Sequence, residues 1–189
     1  MNQDFLVVVD MQNDFVKGAL GSKEAQNVIE LAVEKITGFD GQVIVTYDTH
    51  DANYLKTQEG KRLSVPHCIK GTAGWELHPE IEAALPENVI RLEKPSFGSP
   101  ELPKIIAANG KPESIEFIGL CTDICVVSNA LICKAHFPET LVTVDASCCA
   151  GSTPENHKAA LTTMQACQVG VVMAPPIRMN KIGNMIGRR

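Results

Sequence analysis

The chain has no basic excess: 17 Lys and Arg stand against 22 Asp and Glu, a net charge of −5. It therefore lacks the electrostatic footprint of a protein that binds nucleic acid or an anionic membrane. No apolar run approaches the roughly 20 residues of a membrane-spanning helix. Met1-Asn-Gln-Asp4 carries no basic n-region, and Phe5–Val9 is too short for the apolar core of a signal peptide. The seven cysteines are odd in number and form no short regular framework. That argues against a disulfide scaffold and for free thiols in a reducing compartment. Internal repeats and low-complexity linkers are missing too. These absences lead us to expect a cytoplasmic protein with neither nucleic-acid nor membrane partners, folded as a single domain over 1–189.

What is present is an alternation of apolar strands and amphipathic helices. Phe5–Asp10 is a continuous apolar run ending in an acid, the mark of a strand buried on both faces. Ser22–Thr37 has Ala25, Val28, Ile29, Ala32, Val33 and Ile36 at helical spacing, with Ser22 as N-cap and Gly38 as stop. Gln42–Tyr47 and Asn88–Leu92 read as the next strands, on either side of a stretch, Thr49–Leu85, without periodicity. A short helix over Pro100–Ala108, a strand over Ser114–Leu120, a helix over Cys125–His136 and a strand over Thr140–Asp145 follow. Thr153 caps a last helix running to about Gln168, before a short strand at Gly170–Met173. Such a pattern predicts a parallel sheet covered on both sides, with ligands beyond the carboxyl ends of its strands. Asp10, Asp48, Glu93-Lys94, Cys121–Cys125 and Asp145 all fall at or just past predicted strand ends.

Cys125 marks the passage from strand to helix. There, backbone N–H groups and the helix dipole favour a thiolate. A cysteine nucleophile needs a base or a stabilising cation. No histidine is near in sequence except His136, three turns along the same helix. Asp10 as proton acceptor and Lys94 as cation are the remaining candidates, and a structural thiol at a helix start is the alternative.

Three motifs in order, Asp10-Met-Gln-Asn-Asp-Phe15, Glu93-Lys94-Pro-Ser-Phe97 and Gly119-Leu-Cys-Thr-Asp-Ile-Cys125-Val, resemble those of the isochorismatase-like cysteine hydrolases. The resemblance runs from Phe5 to about Val172. It implies a three-layer α/β/α fold with a six-stranded parallel sheet of order 3-2-1-4-5-6. It implies an Asp10–Lys94–Cys125 triad working through a thioester, with the N–H groups of Cys121 and Cys125 as oxyanion hole. It also implies a cis peptide bond at Leu120–Cys121 and a substrate pocket including Phe15, Phe97 and Leu120.

The aperiodic stretch holds three of the five histidines. Asp48-Thr-His50 and, seventeen residues on, Pro66-His67-Cys68 bring together ligand types for a divalent metal. Asp-x-His followed by His67-Cys-Ile-Lys-Gly71-Thr-Ala-Gly74 is similar to the nicotinamidase/pyrazinamidase branch. That likeness implies one divalent ion (zinc, iron or manganese) on Asp48, His50 and His67, and no organic cofactor. The implied reaction is nicotinamide plus water to nicotinate plus ammonia, a step of NAD salvage. The implied partners are a small-molecule amide and further copies of the chain in a homo-oligomer. Glu59 is either a further ligand or a solvated loop acid. The branch has Trp where Thr49 stands and Tyr where Phe97 stands. These departures leave another amide, ureido or carbamoyl compound, or isochorismate, as the alternative substrate. Trp75 is assigned to the core. So are Cys68, Cys133, Cys148, Cys149 and Cys167, and His157 is expected to bond within its own helix start. The basic tail Arg178–Arg189 is read as solvated, or as an arm for a neighbouring subunit.

Overall fold

The computed structural model describes residues 2–173, so the basic tail lies outside the described residues. Six parallel strands form one sheet: β1 Asn2–Val9, β2 Gln42–Asp48, β3 Ile90–Lys94, β4 Lys111–Leu120, β5 Leu141–Ala150 and β6 Gly170–Val172. Their order is β3-β2-β1-β4-β5-β6, as the family resemblance implies. The helices are α1 Asn13–Val16, α2 Lys23–Asn27, α3 Ile29–Thr37, α4 Gln58–Arg62, α5 Pro79–Ala84, α6 Glu101–Asn109, α7 Val127–His136 and α8 Pro154–Ala166. Among the described residues, no helix is long and apolar enough to cross a membrane.

Alternate side chains of a strand point to opposite faces, and β1 is apolar throughout because both faces are covered. Leu6 and Val8 pack with Ala25, Ile29, Ala32, Ile36 and Ile81 of α2, α3 and α5. Phe5, Val7 and Val9 pack with Leu102, Ile106, Ala130, Cys133 and Met164 of α6, α7 and α8. Each fully buried side chain of this kind contributes about 1.5–3 kcal/mol. The central strand is therefore the most firmly fixed part of the fold. The connections leaving β1 and β4 depart toward opposite faces, which opens a crevice above their adjacent carboxyl ends. Gly119 makes that adjacency close. Its φ is +117°, and a Cβ there would lie 2.1 Å from the Val9 carbonyl oxygen.

Several expectations need correcting. The helix read over Ser22–Thr37 is two helices meeting at Val28, whose backbone stays right-handed; Ser22 Oγ does accept the Ala25 N–H at 3.0 Å. β5 runs on to Ala150 past a register shift opposite Phe117–Gly119. Asp145 is therefore inside a strand and not at its end. It faces Lys35 at 2.8 Å, on the side away from the crevice chemistry. The alternation of β3 buries Lys94 and turns Glu93 outward to Lys70, so Glu93 takes no part in the site. Cys167, read as core, is exposed at the end of α8.

Candidate active site

β1 ends at Val9, and Asp10 turns off the strand with a φ of +49°, a conformation held by its contacts. Its carboxylate is wholly buried. Thr46 Oγ1, one strand over on β2, donates to Oδ1 at 2.6 Å. Lys94 Nζ lies 2.6 Å from Oδ2. Lys94 is also fully buried, and its ammonium donates to the Ser96 carbonyl at 3.1 Å, to Asp48 Oδ1 at 3.4 Å and to the Cys125 sulfur at 3.5 Å. The three residues of the expected triad thus meet, Asp10 from just beyond β1, Lys94 from the last position of β3 and Cys125 from the turn after β4.

The sulfur does not sit at the start of an α-helix. A single π-helical turn, Thr122–Val126, follows β4, and α7 begins only at Val127. The Leu120–Cys121 peptide is cis. Burial, reinforced by Asp10, holds the Cys125 thiol well above its ordinary pKa despite Lys94. Desolvation thus works against the backbone N–H groups that favour a thiolate at this position. Burial also raises Asp10, although Lys94 pulls the other way. Lys94 itself is raised, because burial is outweighed by the charges of Asp10, Cys125 and Asp48. The centre is a buried cation between two carboxylates, with the Cys125 sulfur 3.5 Å from that cation.

Beside it, Asp48, His50, Glu59 and His67 bring one ligand atom each to within 4.8 Å of one another. His50 Nε2 is 3.0 Å from Asp48 Oδ2, and His67 Nε2 is 3.5 Å from the same oxygen. Glu59 Oε1 is 3.6 Å from both imidazoles, which favours the ligand reading over the solvated one. The loop path that unites the histidines is a short parallel bridge. His50 N–H donates to the Cys68 carbonyl at 3.0 Å and Lys70 N–H to the His50 carbonyl at 2.9 Å. His67 Nδ1 is 2.8 Å from the Val65 carbonyl, which leaves Nε2 with a lone pair facing the cluster. His50 Nε2 is buried without a hydrogen-bond partner. An orphaned imidazole nitrogen among carboxylates, in a mixed N/O donor set with surplus negative charge, fits a divalent cation.

A cavity of about 340 Å³ joins the two groups, at the small end of the range for ligand pockets. Cys121 and Cys125 lie on one side, Asp48, Glu59 and His67 on another, and Phe15, Phe97 and Leu120 supply apolar walls. Phe97 is 42% exposed, so it forms a rim rather than a closed wall. Trp75 packs on Tyr47 at 5.2 Å between ring centroids, as a satellite of the core. Its Nε1–H donates to Thr49 Oγ1 at 2.9 Å. Thr49 therefore ties down Trp75 and does not face the cavity.

Sequence reasoning passed over the residues that hold the ligands. Gln12, Asn13 and Asp14 bond successively to the Asp48 backbone, the Ala73 carbonyl and the Cys68 N–H. Tyr54 packs against the rings of both His50 and His67 at 4.7 and 4.9 Å. The His157 imidazole was expected to bond within its own helix start and instead reaches another segment: its Nδ1 is 2.8 Å from Thr122 Oγ1. The motif Asp10–Phe15 displayed three of these residues, but their partners lie far along the chain.

A parallel α/β sandwich of this strand order, with its crevice above β1 and β4, has the fold of the isochorismatase-like hydrolases. The chain belongs to that family: the model of the isochorismatase domain matches residues 4–174. It is 26% identical over 185 residues to the nicotinamidase/pyrazinamidase of Mycobacterium tuberculosis, covering 88% of this chain and 97% of the relative. The crystal structure of nicotinamidase/pyrazinamidase PncA from Bacillus subtilis superimposes with a TM-score of 0.78 at 26% identity, over 90% of this chain and 99% of that one. The pyrazinamidase of Pyrococcus horikoshii in complex with zinc gives 0.77 at 27% identity, with the same coverage.

Proposed function

We propose that the chain is a metal-assisted cysteine amidohydrolase of the nicotinamidase kind, converting nicotinamide and water to nicotinate and ammonia. The observation that carries this is Lys94 Nζ standing between Asp10 and Cys125 beside a cavity that Asp48, Glu59 and His67 of a donor set for a divalent ion also line. The relatives named nicotinamidase and pyrazinamidase support the same reading.

In the first half-reaction, Asp10 takes the thiol proton while Lys94 offsets the negative charge passing from carboxylate to sulfur. The thiolate attacks the amide carbon, and the N–H groups of Cys121 and Cys125 receive the developing oxyanion. Asp10 then returns the proton to the leaving nitrogen, which departs as ammonia and leaves a thioester. In the second half, Asp10 accepts a proton from water, hydroxide adds to the acyl carbon, and the departing sulfur recovers that proton. Phe15 and Phe97 flank a planar ring. Asp48, His50, His67 and Glu59 would hold zinc, iron or manganese, a Lewis acid that anchors a ring nitrogen when bound.

The cavity also bears on the substrate's charge. Among the described residues, no Lys or Arg lines it, whereas Asp48 and Glu59 do. With a divalent ion bound these two carboxylates are neutralised, and the lining offers no Lys or Arg to pair with a substrate carboxylate, which favours a neutral amide over isochorismate or a carboxylate-bearing ureido compound. Seven free thiols support a reducing, cytoplasmic setting. We carry forward a homo-oligomer as well, which light scattering on the purified protein tests directly. The test of function is ammonia release from nicotinamide, pyrazinamide and a panel of ureido and carbamoyl compounds. Preferred turnover of a carboxylate-bearing member would overturn the nicotinamidase reading.

A further inference from the structure

The π-helical turn that carries Cys125 is fastened to the start of α8 by two separate ties. Thr122, fully buried, has its Oγ1 2.8 Å from His157 Nδ1. The next residue, Asp123, accepts from the Ser152 N–H at 2.7 Å and from the Ser152 hydroxyl at 2.5 Å. Asn156 Nδ2 donates in turn to Ser152 Oγ at 2.9 Å. Packing between the two segments leaves no slack. A Cβ at Gly151 would meet His157 Cβ at 2.8 Å and Asp123 Oδ1 at 2.9 Å. Gly151 and Ser152 also line the cavity, so one small network joins a wall of the pocket to the turn beneath it.

We infer that His157 is a positioning residue for the hydrolysis: through Thr122 it fixes the orientation of the adjacent Cys121 amide toward the oxyanion. The inference rests on the thioester chemistry proposed for Cys125. The turn closes through the Cys121 carbonyl, which accepts from the N–H groups of Ile124 and Val126, both at 3.1 Å. The Cys121 N–H belongs to the cis peptide Leu120–Cys121 itself, and the Cys121 carbonyl to the next peptide, which Thr122 anchors. Loosening Thr122 therefore lets that carbonyl and the closure of the turn shift, and the Cys121 backbone, with its N–H, shifts with them. Burial holds the His157 imidazole below its ordinary pKa, so it is neutral at physiological pH and serves as a fixed hydrogen-bonding post. It touches neither sulfur nor the metal-ligand cluster.

The experiment measures steady-state kinetics on the fastest amide of the panel together with the rate at which iodoacetamide alkylates Cys125, read on the tryptic peptide by mass spectrometry. For His157→Ala and Thr122→Val, kcat is expected to fall about tenfold or more, with KM and alkylation rate within twofold of wild type. The double variant is expected to lose no more than either single one. His157→Asn, which restores a polar atom near the Nδ1 position, and Thr122→Ser are expected to recover most of kcat. The inference is overturned if kcat stays within twofold of wild type in both folded variants, if the two losses multiply, or if alkylation slows in step with kcat. Wild-type protein that turns over no amide in the panel defeats the proposed function itself, and this inference with it.

Discussion

Gln12 grips both backbone polar groups of Asp48: its Oε1 accepts the Asp48 N–H at 2.8 Å, and its Nε2 donates to the Asp48 carbonyl at 2.9 Å. The same Nε2 donates to the Trp75 carbonyl at 2.8 Å. A fully buried amide with all three bonds directed at main chain holds a carboxylate in place without touching it. Gln12→Leu keeps the volume and removes the grip. The expected outcome is metal affinity lowered about 10–100-fold, the usual scale for outer-shell partners of a ligand. Competition with a chromogenic chelator measures it, and unchanged affinity would remove Gln12 from the site.

Cys125→Ala is expected to abolish ammonia release while leaving the thermal midpoint close to wild type. The side chain lost is small, so little packing goes with it. Residual turnover comparable to wild type would end the nucleophile assignment.

Lys94→Met tests the opposite balance. It leaves the Asp10 carboxylate buried with Thr46 as its remaining hydrogen-bond donor and with Asp48 nearby. Removing one partner of a buried pair costs about 3–5 kcal/mol. Urea unfolding should show that loss together with the loss of activity. A variant as stable as wild type would mean that Asp10 is not held as an ion in the folded state.

Asp10 must be ionised in the free enzyme to receive the thiol proton, so activity is present above its folded pKa and lost as pH falls through it. Burial raises that pKa from the ordinary 3.8. The acid limb of kcat/KM at saturating metal should therefore lie above the ordinary carboxylate range. A limb at or below 3.8 would contradict the burial argument.

Lys35 and Asp145 give a stability prediction away from the chemistry. Lys35 Nζ lies 2.8 Å from Asp145 and 3.0 Å from Glu116. Burial pushes Asp145 up, but hydrogen bonds from Lys35 and Ser147 bring it below the ordinary value, so its stabilisation is present above about pH 4 and lost as pH falls through the depressed pKa. Burial lowers Lys35, but its two carboxylate partners raise it above 10.5 overall; its share persists below that value and fades as pH rises through the folded pKa. Lys35→Met should cost about 2 kcal/mol at pH 7 and less in acid. Denaturation at pH 7 and at pH 3 compares the two.

The strands were legible because the sheet is buried on both faces, which writes β1 as an unbroken run from Phe5 to Val9, whereas their order was implied by the family resemblance and by nothing in the pattern itself. Asp10, Lys94 and Cys125 were legible as residues beyond strand ends. The histidine pair was visible as ligand types, but its geometry depends on a bridge between His50 and Ile69 that leaves no periodic trace. Gln12 escaped notice, and His157 was given the wrong partner, for a related reason. Their partners are the backbone of Asp48 and the hydroxyl of Thr122, 36 and 35 residues away. Asp145 was misplaced because a bulge lengthens β5. The desolvation of the Cys125 thiol was not legible, because burial is a property only the fold reveals.

The short segment from Asp10 to Phe15 is a shared mount. It carries the proposed proton acceptor, the grip on Asp48, the pins on the histidine loop and one wall of the cavity, and it hangs from the end of β1. Gly119 sets how closely β4 approaches that end. A methyl group at position 119 would therefore act like a shim under the whole assembly. It would displace base, metal donors and pocket wall together relative to the sulfur, so this enzyme tolerates change more readily at its solvent-facing rim, Leu63 and Phe97, than at a glycine that touches no substrate.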